Sequence, residues 1–247
     1  MLLTDDPGRA AWQLFTRLGE AQLLLPAAAV VVWLLVREGA GATSATIATS
    51  AAGAAPRGLA LQWLSRLATA AALTTASKLA FIGWGLGSAA LDFTGISGHT
   101  TFATATYPWL VATAMPAAWP LARRAGALAG LALGAAVGLS RLMLDTHSVS
   151  EVLAGVLVGG WAGVLAFQLG PLRPHCNGWL APLIGLWFVA APAYAPPSQS
   201  HALVTRLALA LSGRAVPHTR QQLKARQSAG APSATAPSAT VIGPRPL

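Results

Sequence analysis

The sequence predicts an all-α membrane protein: six transmembrane helices in one bundle, followed by a short amphipathic helix and a disordered C-terminal tail. Three observations predict it. The chain of 247 residues is 54% hydrophobic and only 9% charged, against about 25% charged residues in ordinary soluble domains. Six apolar stretches approach the ~20 residues a helix needs to cross a bilayer, at roughly 21–36, 60–80, 100–119, 125–144, 149–170 and 178–195. None of them alternates apolar and polar residues with the period of two that barrel strands require.

The breaks between stretches carry turn chemistry or charge: REGAGATS, GWGLGSAALDFTGISG, WPLARR, LDTHS and GPLRPHCNG. Small residues are dense within the stretches, as close packing of transmembrane helices favours. The organisation expected is one six-helix domain over 1–200, an interfacial segment over 201–220 around HALVTRLALALSG, and a disordered tail over 221–247, where QSAGAPSATAPSAT has no core-forming residues. The single cysteine, Cys176, excludes an internal disulfide and a cysteine-based zinc site. The net charge of +9 lies largely in the C-terminal segment and forms no clustered nucleic-acid-binding face. MLLTDDPGR lacks the basic start of a signal peptide.

Alternating helix direction assigns each loop a side. Lys78 ends the second stretch, His99 opens the third, Arg141 ends the fourth, and His147 and Glu151 open the fifth, so all five share one face. Ionisable residues at membrane depth are costly and mark functional sites. The opposite loops hold Arg37, Arg57, Arg123, Arg124 and Arg173, with Arg66 snorkelling towards them. The positive-inside rule makes that side cytoplasmic. The polar cluster then faces the periplasm or exterior, together with both termini. The Ala, Gly and Arg bias suggests a bacterial inner membrane.

SRLMLDTHSVSE, residues 140–151, gathers an arginine, two carboxylates and a histidine. A spacing of four places His147 and Glu151 on one helical face. A carboxylate on one imidazole nitrogen fixes the tautomer and makes the other nitrogen more basic, which prepares a nucleophile. Glu151 also fits a capping box with Ser148, a purely structural use. In FTGISGHTTFA, Gly95 and Gly98 allow tight turns, the helix start offers free N–H groups to an anion, Ser97 adds a hydroxyl, and His99 can protonate a leaving oxygen. Cations, helix N–H groups and two histidines together suit transfer of a phosphoryl group. No cofactor is expected. No metal is expected either, because Lys78 and Arg141 would repel one from the histidine pair.

These residues resemble the motifs of the type 2 phosphatidic acid phosphatases, the membrane lipid phosphatase branch of the vanadium haloperoxidase superfamily. Their motifs are K-x6-R-P, P-S-G-H and S-R-x5-H-x3-D. The third reads here Ser140-Arg141, five residues, His147, three residues, Glu151; the second reads Ile96-Ser97-Gly98-His99; the first keeps Lys78. The resemblance implies a metal-independent phosphatase acting on a lipid phosphate or polyprenyl diphosphate, among membrane lipids, through a phosphohistidine. It implies His147 as nucleophile, Glu151 as its orienting carboxylate, His99 as general acid, and Lys78, Ser97, Gly98 and Arg141 as phosphate ligands. Three positions depart from the family: Ile96 stands for proline, Glu151 for aspartate, and Gly85-Leu86 for the Arg-Pro of the first motif. The last removes a phosphate-clamping arginine, so Arg214 or Arg220, on the same face, is expected to reach the site instead.

Two other functions fit parts of the sequence. GISG matches the serine motif of rhomboid-type intramembrane proteases, with Ser97 as nucleophile and His147 as its base. A catalytically weak or inactive lipid-phosphate-binding protein would need the cations but neither histidine.

Overall fold

Glycines spaced by four organise the centre of the molecule. Gly126, Gly130, Gly134 and Gly138 line one helix, and Gly155, Gly159 and Gly163 line the next. Both rows press against a third, threonine-rich helix. The computed structural model describes residues 7–40, 56–115, 119–169, 174–194, 196 and 198–230. It runs α1 (Pro7–Thr16), a 3-10 turn (Arg17–Gly19), α2 (Ala21–Ala40), α3 (Pro56–Trp84) and α4 (Gly98–Ala114). It continues with α5 (Pro120–Met143), α6 (Val149–Gly163), a 3-10 turn (Val164–Gln168), α7 (Pro174–Tyr194), α8 (Ser200–Ser212) and α9 (Arg220–Gly230). Among the described residues there is no sheet, only an isolated bridge between Ser88 and Phe93.

Helix α4 is the axis. Twelve of its residues, Thr100, Thr101, Ala103 to Leu110, Ala112 and Thr113, are buried. The threonines satisfy their hydroxyls within the helix: Thr101 Oγ1 donates to Ser97 O at 2.9 Å, Thr104 to Thr100 O at 2.8 Å, and Thr113 to Trp109 O at 2.7 Å. This leaves the glycine rows free to approach the α4 backbone. A Cβ at Gly159 would collide with the Thr101 carbonyl and the Thr104 hydroxyl, and one at Gly163 with the Thr104 carbonyl. On the other side Trp63 of α3 stacks on Trp109 at 4.7 Å and donates from Nε1 to Ala105 O at 3.0 Å, within a core shared with Leu24, Val31 and Leu35 of α2. Overpacking a tight core costs about 1–3 kcal/mol. Gly159→Ala is therefore expected to lower the detergent melting temperature by several degrees, while an alanine at Gly160, which meets only the Leu131 side chain 3.8 Å away, leaves it within a degree.

The outward faces stay apolar: Leu128, Leu139, Leu153, Leu157, Val164, Leu186 and Val189 are all exposed, as lipid-facing residues are. Two described stretches, Leu121–Met143 and Val149–Gln168, are long and apolar enough to cross a bilayer, and the bent pair Pro7–Gly19 and Ala21–Arg37 makes a third if taken as one span. Six spans are not reached by this measure. Helix α4 has 17 residues, about 25 Å at 1.5 Å per residue, and it is enclosed by other helices. Helix α3 reaches 29 residues but carries Gln62, Ser65, Arg66, Thr69 and Lys78. Helix α7 is interrupted by Pro182 and Pro192.

The first and shortest stretch has a helix upstream of it, and the expectation for the tail changes. The N-terminal residues form a helix of their own, α1, bent by 40° from α2. The tail, expected to be disordered from 221, begins instead as helix α9 over Arg220–Gly230; residues 231–247 lie outside the described residues.

Candidate active site

Each site residue is placed by a local device. After α5 ends at Met143, the chain turns through Asp145 at φ +54°, and Thr146 ties back to Arg141 O through both its backbone N (3.1 Å) and its Oγ1 (3.0 Å). His147 follows directly, and Ser148 caps α6. The capping box forms: Glu151 N donates to Ser148 Oγ at 3.4 Å, and Ser148 N to Glu151 Oε2 at 3.1 Å. The same Oε2 lies 2.6 Å from His147 Nδ1. Glu151 therefore serves both uses, cap and histidine partner, which are compatible because a carboxylate oxygen accepts more than one bond.

Glu151 is fully buried. Its second oxygen accepts from Thr94 N at 2.7 Å and Thr94 Oγ1 at 2.5 Å. Arg220 reaches both oxygens from Nη2, at 2.9 and 2.8 Å. Of the two arginines expected to replace the phosphate clamp, Arg220 comes to the site but bonds the carboxylate, and Arg214 turns to Val216 O. Thr94 escaped sequence reasoning, since a threonine in a Gly-rich loop carries no signal of its own.

The loop before α4 is held against α3. Ile96 N donates to Ser77 Oγ at 3.0 Å, and Ser97 N to Glu151 O at 3.1 Å. Gly95, at φ +140°, sits where a Cβ would lie 3.0 Å from Lys78 Cγ, so only glycine lets the loop rest on Lys78. A Cβ at Gly98 would lie 3.6 Å from Lys78 Nζ, which places the ammonium at the N-terminus of α4. Ser97 is fully buried, and its Oγ accepts from Thr100 Oγ1 at 2.9 Å.

Arg141 donates from Nη1 to Thr16 Oγ1 at 3.1 Å, and its Nε is buried with no hydrogen-bond partner among the described residues. A cavity of about 360 Å³ opens on His99 and Arg141 and is lined as well by Arg9, Gln13, Thr16, Arg17 and Glu20. Arg9, Gln13 and Thr16 come from α1, upstream of the stretch counted from residue 21. Lys78, His99, Arg141 and His147 lie close enough to act on one another electrostatically. All seven sequence-predicted residues thus gather at one end of the bundle.

His147 sits in the loop between α5 and α6 with 14% of its side chain exposed. Burial pushes its pKa below the ordinary imidazole value. The Glu151 hydrogen bond and charge pull it back up, and Lys78 and Arg141 add to the lowering. The net effect is a ring held neutral near pH 7. With Nδ1–H donating to the Glu151 carboxylate, Nε2 carries the lone pair.

An uncharacterized 22.5 kDa protein in the cps region of Klebsiella pneumoniae is 38% identical over 167 residues, which cover 66% of this chain and 71% of that relative. No solved structure matches the chain. The model of the PAP2 superfamily matches residues 27–174, which hold every one of the seven site residues, and the chain belongs to that superfamily.

Proposed function

We propose that the protein is a membrane-embedded, metal-independent phosphatase that hydrolyses a lipid phosphate or polyprenyl diphosphate through a phosphohistidine. One observation carries the reading: His147 has one imidazole nitrogen fixed by a buried carboxylate at 2.6 Å and shares its site with Lys78, Arg141 and the N-terminus of α4. Binding a phosphate needs the cations; only transferring one needs the prepared histidine.

In this mechanism the Nε2 lone pair of His147 attacks phosphorus. The bond from phosphorus to the lipid oxygen breaks, and His99, protonated once the phosphate anion is bound beside it, gives that oxygen its proton. A water, deprotonated by His99, then attacks the phosphohistidine, which returns the electron pair to Nε2 and releases phosphate. Lys78, Arg141, Ser97 and the N–H groups at Gly98 carry the charge of the phosphoryl oxygens throughout. Six spans, with the short α4 enclosed at the centre, and a site on the periplasmic face of a bacterial inner membrane complete the proposal. There the headgroup enters while its tails remain in lipid.

The experiment is phosphate release from a panel of lipid phosphates and polyprenyl diphosphates in detergent with EDTA. Release that survives EDTA on at least one substrate is expected; no release on any of them favours a binding protein. Because neutral His147 attacks and burial lowers its pKa, kcat/KM should rise with pH along an acid limb whose midpoint lies below the ordinary imidazole value of about 6.5. A midpoint at or above pH 7 contradicts a neutral histidine nucleophile.

A further inference from the structure

The C-terminal segment lies beyond the superfamily match, which ends at residue 174, yet it closes on the site. Helix α8 packs on the end of α3: its Ala208 is buried with Phe81 and Ile82, and the chain then turns at Gly213, φ +68°. His218 N donates to Ile82 O at 3.0 Å. The His218 ring lies against Gly85: a Cβ there would come within 3.2 Å of three ring atoms, at a backbone φ of +72°. Position 85 is where the first motif of the resembled phosphatases carries arginine. Here the missing side chain leaves room for a strap, and the strap carries an arginine in.

That arginine is Arg220, the first residue of α9. Its Nη2 bonds both Glu151 oxygens and reaches Thr94 Oγ1 at 3.2 Å. Its Nη1 bonds Asp92 O at 3.1 Å and lies 2.9 Å from Asp92 Oδ2. Asp92, at φ +50°, also has Lys224 Nζ 3.2 Å away. Both terminal nitrogens of the guanidinium are therefore spent on carboxylates, a hydroxyl and a carbonyl. Neither is left for a phosphate.

We propose that Arg220 is a positioning residue: it holds Glu151, and through Glu151 the Nδ1–H tautomer of His147, without touching substrate. The proposal rests on the phosphatase reading for its kinetic test. Its electrostatic sign follows from the neighbours. His147 is faced by Glu151 of α6, Lys78 of α3, His99 of α4 and Arg141 of α5; His201 of α8 lies near Lys78; Arg220 and Asp92 stand behind Glu151. Removing the Arg220 charge leaves Glu151 free to favour imidazolium at His147, so the nucleophile is protonated at higher pH.

The test compares wild type, Arg220→Ala and Arg220→Lys, with melting temperature as the control for folding. Arg220→Ala should lower kcat about 10- to 100-fold, change KM and vanadate inhibition less than about 3-fold, and move the acid limb upward by about one pH unit. Arg220→Lys keeps the charge and loses the fork, so its limb should stay while kcat falls by an intermediate amount. A raised KM and weakened vanadate inhibition with an unmoved limb would instead make Arg220 a phosphate ligand, and unchanged kinetics would remove it from the site; either result overturns the proposal. If Arg220→Ala does not fold, Arg220→Lys decides alone by the same split between kcat and KM. If the wild type releases no phosphate, the phosphatase reading fails separately. The His147 ring titration, followed by NMR in 15N-histidine-labelled protein, then decides: an upward shift in Arg220→Ala (or in Arg220→Gln where the alanine variant does not fold) with none in Arg220→Lys supports the positioning role, and no shift in the charge-removing variant overturns it.

Discussion

His147→Ala is expected to lower phosphate release by at least about 10³-fold while leaving the melting temperature within about two degrees of wild type. The size of the effect follows from the role: without a nucleophile the covalent route closes, and only the cations and the helix terminus remain to stabilise charge. The small stability change follows from the environment. His147 lies in a loop already tied down by Thr146 on Arg141 O, and its main polar contact is to Glu151, which keeps Thr94, Ser148 and Arg220. Parallel rate and melting measurements check this. A collapse of both together would make His147 a structural residue instead.

Glu151→Gln is expected to lower kcat by about 10²- to 10⁴-fold, and here stability should fall as well. The amide keeps the shape but loses the charge that orients imidazole, and its NH₂ can face Nδ1 and favour the opposite tautomer, the failure seen when a triad aspartate becomes asparagine. It also leaves Arg220 without its buried counter-charge. Breaking a buried ion pair by removing one partner costs about 3–5 kcal/mol; the side chain of Arg220 is 31% exposed, so solvent screening reduces that to about 1–2 kcal/mol. Glu151→Asp, which restores the resembled motif's own residue, should retain far more activity than Glu151→Gln. A glutamine variant as active as the aspartate variant would show that charge at this position is not needed.

Much of this site was legible because its chemistry lies in two short motifs. The spacing of His147 and Glu151 fixes their contact through helix geometry alone, and Ser97-Gly98-His99 announces a helix start by its glycine and its polar run. What was not legible depends on contacts between distant segments. Helix α1 is too polar to stand out as a span, yet its Thr16 is the partner of Arg141. Thr94 and Asp92 acquire their roles only once the loop folds onto α6 and α9. The region from 221 reads as disordered because its composition has no core; the helix that forms there is anchored by the Arg220 pair with Glu151, 69 residues away in sequence. The number of spans suffered from a similar limit. Apolar length counts helices well when each faces lipid, but α4 is enclosed by its neighbours and is both short and rich in threonine.

The most direct measurement is where the phosphoryl group goes. Wild-type protein in detergent with EDTA would be mixed with a substrate labelled in its phosphate, quenched in alkali within milliseconds, and digested for peptide analysis. The account predicts an acid-labile, alkali-stable label on the peptide containing His147, absent from His147→Ala. Label on Ser97 or any other residue, or full phosphate release by His147→Ala, would contradict it.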